Sequence, residues 1–476
     1  MLNYKEFVSC PKSMLVAPAG YGKTFSIAES IKYTEGRQLI LTHTHAGVAS
    51  IKEKLNEAKL ASSLYNVETI SSFSQKFVLS FVDPESIPNQ ENSKEYFPFI
   101  IKKAVELFKI APVKRIIQQS YMGLFVDEYQ DCTLEQHELV LALSKILSAR
   151  ILGDPLQAIF NFKGNSMVDL RSKEIMGDFL ENSYELKEPW RWKKKNPTLG
   201  SELNILRTVL LNKESVNLQN FRSFNLHFYP ERDMLAQGSL YNSTLWKILS
   251  EESLLLIHPE SKSVEPRILI TKFFRNSFSL IESIDDKLFY ELSRQIDLIS
   301  PDTIQDILLK VCWSLFNKTG ISNWFNDSGL KKKKKPTEKK LSEEIQKDII
   351  YLQSHYSHSF FASVLKRISR LPSIICYRKE VFTSLLSAME GADVKQTSVH
   401  SAMIEKRNVI RRVGRKIYGR CIGTTLLTKG LEFDTVVVLN AHRFQCPKNF
   451  YVALTRACKR LIIFSEKKII SPYPKE

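Results

Sequence analysis

The stretch Ala17-Pro18-Ala19-Gly20-Tyr21-Gly22-Lys23-Thr24 constrains this chain more than any other. An apolar run, Met14-Leu15-Val16, leads into it, and an amphipathic helical pattern leaves it from Phe25. Strand, glycine-bearing loop and helix in that order form a cradle, because backbone N–H groups and the positive end of the helix dipole converge on an anion. Ala17 to Gly22 would wrap a nucleotide's phosphates and Lys23 would reach the β- and γ-phosphates. The Thr24 hydroxyl would hold Mg²⁺. Ala17 stands where the general pattern has its first glycine.

Around that loop, short apolar runs alternate with amphipathic helices from Ser13 to about Ser183, the mark of a parallel α/β sheet. Strands are expected at Met14–Ala17, Gln38–Thr42, Gly123–Val126 and Arg150–Gly153. Helices fit after Lys23, at Ala46–Leu60, at Ser71–Phe81 and at Leu134–Leu147. Residues 83–120 break the alternation as a small helical insertion, so residues 1–82 and 121–183 make the first domain. A second α/β domain would comprise residues 184–281 and 372–476. Its strands are expected at Phe224–Phe228, Leu254–His258, Ile374–Tyr377, Arg420–Thr424, Thr435–Asn440 and Arg460–Phe464. Residues 282–371 read as a helical insertion into it. There Lys331–Lys335 form a five-lysine run, either a solvated loop or one that contacts phosphates. No fixed-period repeat is visible.

Composition narrows the partner. The 476 residues carry 68 basic and 51 acidic side chains, a net charge of +17, which favours a polyanion, and nucleic acid over membrane. Seven scattered cysteines without a C-x-x-C argue for free thiols and against a zinc ribbon or iron–sulfur cluster. The N-terminal residues lack a signal region, and no apolar run is long enough for a bilayer, so a soluble cytoplasmic protein is expected.

Val126-Asp127-Glu128-Tyr129-Gln130-Asp131 ends an apolar strand in paired carboxylates. Beside a phosphate-binding loop, Asp127 would hold Mg²⁺ and Glu128 would polarise the attacking water. Gly153-Asp154-Pro155-Leu156-Gln157 follows the next strand, which makes Gln157 a candidate γ-phosphate sensor.

Together these motifs resemble superfamily 1A helicases, the UvrD/Rep/PcrA group, in the family's order. Ala17-x-x-Gly20-x-Gly22-Lys23-Thr24 matches that group's loop, alanine included. Leu41-Thr42-His43-Thr44-His45-Ala46 and Thr69-Ile70-Ser71-Ser72-Phe73 resemble its first DNA-contacting motifs. Asp127-Glu128-Tyr129-Gln130-Asp131 is nearly its D-E-F-Q-D signature. Gly153 to Gly164 resembles the motif joining phosphate sensing to base stacking, and Leu186-Lys187-Glu188-Pro189-Trp190-Arg191 the one opening the second domain. Lys429-Gly430-Leu431-Glu432-Phe433-Asp434 and Tyr451-Val452-Ala453-Leu454-Thr455-Arg456-Ala457 match the last two.

The resemblance implies two RecA-like P-loop domains with reduced 1B-like and 2B-like helical insertions, and ATP with Mg²⁺ between them. Arg191 and Arg456 would stabilise the γ-phosphate as arginine fingers do. Trp190, where the family usually has tyrosine, would face the adenine, and Glu432 the ribose. Phe160, Phe162 and Lys163 would meet single-stranded bases, with Thr42, His43, Ser72 and Thr424 as further DNA contacts. The chain departs from the family in lacking an evident adenine-reading glutamine near Leu2–Phe7, which leaves ATP against other NTPs open. Leu426 also stands for a common histidine and His45 for a common asparagine. No appended nuclease is expected after the last motif.

The implied activity is ATP-driven translocation and unwinding, 3′ to 5′ on single-stranded and partly duplex DNA, in DNA repair or antiviral defence. The compact insertions also resemble helicase-like subunits of antiphage systems such as Gabija, whose partner is an OLD-family nuclease. The alternative is therefore an ATP- and DNA-sensing regulatory subunit of a nuclease complex with little unwinding of its own. A third reading, a P-loop fold without turnover, is disfavoured because every catalytic side chain is present.

Overall fold

The computed structural model describes residues 2–90, 92–160, 167–260, 263–275, 277–281, 286–326, 329–376, 378–413 and 419–474. Two compact units emerge, one formed by Met1–Ile281 with Arg412–Glu476 and the other by Glu282–Arg411.

The first unit is α/β and contains two six-stranded sheets, each parallel throughout. Strands β1 (Lys12–Val16), β2 (Gln38–Thr42), β3 (Tyr65–Thr69), β4 (Gly123–Val126), β5 (Ser148–Gly153) and β6 (Ser183–Glu185) form the first, in the order β3-β2-β4-β5-β1-β6. Every residue of β2 and β4 is buried, as expected of central parallel strands covered by helices on both faces. Their bounds coincide with the apolar runs that announced them. Strand β3 was not expected, since Tyr65-Asn66-Val67-Glu68-Thr69 mixes polar with apolar residues. At the sheet edge its polar members can meet other polar groups, and Glu68 takes hydrogen bonds from Asn66 and Lys76.

Strand β6 carries the first sheet beyond the expected domain boundary at Tyr184. It pairs with β1, and the Tyr184 ring packs edge-on to Phe7 at 5.6 Å. The insertion forms as two helices, Ser93–Leu107 and Ala111–Ser120, which lay Ile100, Ala104 and Ile117 into the core shared with Phe73 and Leu139.

Strands β7 (Phe224–Phe228), β8 (Leu254–Ile257), β9 (Ser279–Leu280), β10 (Arg420–Gly423), β11 (Phe433–Val438) and β12 (Ala457–Ser465) form the second sheet, in the order β9-β10-β8-β11-β12-β7. The central run Leu254-Leu255-Leu256-Ile257 is wholly buried. The expected strand Ile374–Tyr377 is not one of this sheet. Tyr377 lies outside the described residues, and Cys376 makes an isolated antiparallel bridge with Phe316 in the helical unit. Asn317 captures this apolar run locally, its Oδ1 accepting from the Ile375 N–H at 2.7 Å and its own N–H donating to the Ile375 carbonyl at 3.0 Å.

The second unit therefore reaches Arg411, past the expected Leu371, and includes the helices Lys379–Lys395 and most of Val399–Val413. Leu308, Trp324, Phe361, Leu365 and Met389 are among its buried core residues. Asp297 fixes the start of its last helix by accepting the N–H groups of Val399 and His400 at 2.7 and 2.9 Å. Among the described residues, no helix of the chain is long and apolar enough to cross a membrane.

Phe125, at the centre of the first sheet, is fully buried, and the guanidinium of Arg150 lies 5.6 Å from its ring centroid. Phe125→Ala should cost about 3–5 kcal/mol, read as a lower denaturation midpoint, because the cavity lies where helices cover both faces.

Candidate active site

Strand β1 ends at Val16, and the loop after it is tied down by the Ala17 N–H donating to the Gly153 carbonyl at 3.0 Å. Pro18 and Ala19 are buried, and the Tyr21 N–H turns back to the Pro18 carbonyl at 3.1 Å. Gly20 and Gly22 have φ of +77° and +89°, left-handed backbone that side chains avoid. A Cβ on Gly20 would also lie 2.7 Å from the Trp192 ring. Gly22 precedes the helix Lys23–Ile31, which no side chain caps. The N–H groups of its first turn have no acceptor within the helix and point outward. Thr24 is half-buried in that turn.

Asp127 and Glu128 follow β4 directly. The Asp127 N–H is held by the Leu41 carbonyl at 2.8 Å, and Glu128 adopts φ +56° and ψ +39°, uncommon for a residue with a side chain. Lys23 Nζ sits between them, 2.6 Å from Glu128 Oε1 and 3.3 Å from Asp127 Oδ1. Burial pushes the Lys23 ammonium down, but the two carboxylates hold it above its usual range. Burial also opposes ionisation of Glu128, yet Lys23 and Lys429 hold its carboxyl at about 2. Burial raises the Asp127 carboxyl against the pull of Lys23.

The second sheet's residues meet this loop through the short helix Trp190–Lys193. The Arg191 N–H donates to the Gly20 carbonyl at 2.9 Å. Its guanidinium donates to the Thr455 carbonyl at 2.5 Å and to Glu432 at 2.6 Å, while its Nε is buried without a hydrogen-bond partner. Arg456 is buried, with Nε on the Val452 carbonyl at 3.0 Å and Nη1 on the Leu431 carbonyl at 3.2 Å. Burial and the neighbouring Arg191 bring its pKa down to about 10. Trp190 is 45% exposed beside Gly22, with Lys193 Nζ 4.1 Å from its ring centroid, so its indole is open to a planar ligand.

Sequence reasoning missed the residues that link these parts. Gln130 donates to Glu128 at 2.5 Å and accepts the Asp154 N–H at 3.0 Å. Asp154 in turn accepts from Gln157 Nε2 at 3.0 Å and faces Arg207 at 3.5 Å. Lys429 donates to Asp131 at 2.5 Å and to the Gln157 carbonyl at 2.7 Å, and lies 4.5 Å from the Phe160 ring centroid. Burial lifts the Asp131 carboxyl to about 7 despite that lysine, and lowers Lys429 against the pull of Asp131. Gln130, Asp131, Asp154 and Lys429 all stood inside quoted motifs. Their residue types gave the signal, and only their partners were hidden.

The expected DNA contacts are dispersed. Thr42 and Thr424 are buried. Ser72 accepts a hydrogen bond from Thr69 at 2.7 Å near the start of the helix Ile70–Phe81. His43 lies 3.5 Å from the Cys132 sulfur, and burial lowers its pKa to about 4, so at neutral pH it offers no positive charge to a phosphate. Phe162 and Lys163 lie outside the described residues. A cavity of about 860 Å³, lined by Arg171, Tyr184, Lys187 and Arg207 among others, opens beside β6 rather than at the P-loop glycines.

Comparison with known proteins meets the resemblance read from the motifs. Residues 88–174 match the family model of the UvrD/REP helicase N-terminal domain. The Gabija protein GajB of Bacillus cereus (strain VD045) is 23% identical over 394 residues, a span of 80% of this chain and 71% of that protein. A solved complex of an arterivirus nonstructural protein 10 (helicase) with DNA aligns at a TM-score of 0.35 and 10% identity. That alignment covers 97% of this chain and 62% of the other, so this chain spans less than two thirds of that structure's length.

Lys429→Ala should destabilise by about 3–5 kcal/mol at pH 8, because it leaves a buried carboxylate without its cation. Below pH 7 the cost should shrink, since Asp131, whose carboxyl already sits near 7, takes up a proton in the folded state and no longer needs the lysine. Denaturation of the single variant and of Asp131→Asn/Lys429→Met at both pH values checks this. The double variant should recover most of the loss at pH 8.

Proposed function

We propose that this UvrD-like chain is an ATP-driven motor on DNA, an ATP hydrolase that translocates 3′ to 5′ along single strands and separates duplex. One observation carries the reading. Lys23, Asp127 and Glu128 from the first sheet lie together with Arg191, Glu432 and Arg456 about a loop whose Gly20 lets Arg191 and Trp192 pack directly against its backbone. The buried, unpartnered Nε of Arg191 and the uncapped helix at Lys23 fit an anionic ligand.

In this reading residues 17–24 bind the phosphates, Trp190 stacks on the base and Glu432 takes the ribose. Thr24 and Asp127 would hold Mg²⁺, which when bound neutralises charge on the phosphates. Lys23 exchanges Glu128 for a phosphate, and Glu128 is then free to orient water as a base. Its carboxyl, which Lys23 and Lys429 hold at about 2 before that exchange, enters it ionised. Gln157 senses the γ-phosphate, while Arg191 and Arg456 stabilise the charge that grows in the transition state. Lys429 ties Asp131 and the Gln157 carbonyl to Phe160, which supports a route from phosphate sensing to bases stacked on Phe160 and Phe162. DNA repair and antiphage defence are both compatible with this chemistry.

The likeness to GajB over 80% of the chain favours one second reading, a subunit that senses ATP and DNA and governs a partner nuclease of the OLD type.

ATP hydrolysis with and without single-stranded DNA tests the proposal. DNA should stimulate the rate, Lys23→Ala should abolish it, and Glu128→Gln should bind ATP yet lose at least about 100-fold in turnover. Normal turnover by Glu128→Gln would remove its role. A rate indifferent to DNA would favour the second reading, which strand displacement with and without the partner nuclease then resolves.

A further inference from the structure

The five-lysine run of the helical unit is not uniform. Lys331 continues from the short strand Gly329–Leu330, and its N–H is bonded to the Trp324 carbonyl at 2.8 Å. Its ammonium turns inward to the Ser322 carbonyl at 2.7 Å. Lys333 does the same, reaching the Asn323 carbonyl at 2.8 Å and lying 4.3 Å from the centroid of the buried Trp324 ring. Both therefore satisfy carbonyls at the C-terminus of the helix Lys318–Trp324, where the helix dipole welcomes a cation. Lys335 shares Glu338 with Lys333, at 3.7 and 3.5 Å. Burial alternates over the first four lysines, half-buried at Lys331 and Lys333 and exposed at Lys332 and Lys334, and Lys335 is exposed as well.

We infer that Lys332 and Lys334 form a phosphate-binding pair on the helical unit that engages the backbone of nucleic acid outside the P-loop domains. Pinning of Lys331 and Lys333 leaves Lys332 and Lys334 directed to solvent. Neither Lys332 nor Lys334 has an ion pair among the described residues. Side chains two residues apart can reach neighbouring phosphates of one strand. A membrane surface is the poorer fit, because the residues that follow, Pro336-Thr337-Glu338, offer no apolar anchor beside the charges. The inference depends on the proposed function only in naming nucleic acid as the polyanion.

Fluorescence anisotropy of the full chain with a labelled single-stranded oligonucleotide and its duplex, over a KCl series, tests this. Lys332→Ala/Lys334→Ala should lower the slope of log K against log salt by about 1.4 on single strands or about 1.8 on duplex, two phosphate contacts' worth. ATP hydrolysis without DNA and the thermal midpoint should be unchanged, since both side chains are exposed. Lys332→Glu/Lys334→Glu should weaken binding further at low salt. Unchanged slopes on both DNAs, in a chain that binds DNA and hydrolyses ATP, would overturn the inference and leave the motor reading standing. Absence of DNA binding by the wild-type chain would overturn both. Loss of binding to phosphatidylserine vesicles with DNA slopes intact would overturn it in favour of a membrane.

Discussion

Lys23 is wedged between Asp127 and Glu128, so one ammonium partly neutralises two carboxylates withdrawn from water. The balance is completed from the far side of the loop. Four cations (Lys23, Arg191, Lys429 and Arg456) and four carboxylates (Asp127, Glu128, Asp131 and Glu432) meet around the P-loop. Such a cluster is costly to bury unless each charge keeps a partner. The two sheets are therefore bound to one another by the charges a phosphate ligand would address. An anion entering the cradle would have to compete with the carboxylates already there.

The seam joins backbone and charge contacts to apolar packing, since Ala19, Tyr21 and Leu156 share a buried core with Trp192, Leu203 and Tyr451. Arg191 touches both sides, its N–H on Gly20 and its guanidinium on Thr455 and Glu432. Trp192 beside it is buried, and its indole N–H donates to the Ala457 carbonyl at 2.7 Å. Directional contacts of this kind have discrete alternatives, whereas a close-packed core resists gradual change.

Much of this was legible in the chain. Gln38–Thr42 and Gly123–Val126 are strands with the bounds their apolar runs gave, because inner parallel strands need largely apolar side chains, and the edge strand Phe224–Phe228 kept its expected bounds through its alternating Phe, Leu and Phe. The P-loop and the paired acids were legible because their chemistry admits few residue types. The edge strands of the first sheet escaped notice, since Ser183-Tyr184-Glu185 has no apolar signature and draws its place from pairing with β1. The run Ile374-Ile375-Cys376 misled in the opposite sense, apolar enough for a strand but claimed by Asn317. The pair Lys429–Asp131 joins residues 298 apart in sequence. No local pattern can announce such a contact.

The order of strands along the chain sets a timetable for synthesis. All six strands of the first sheet are made once residue 185 has left the ribosome, so that half can assemble early. The second sheet cannot do likewise. Strand β12, which sits between β11 and β7, is not complete until residue 465. Leu254–Ile257 is a bare apolar strand until its neighbours β10 and β11 are made, by residue 438, and β7 has no partner in the sheet until β12 is complete. Unpaired edges of that kind invite association with other chains. During translation this polypeptide therefore carries a long window of vulnerability in its second half, and truncation before Ala457 would leave that window permanently open.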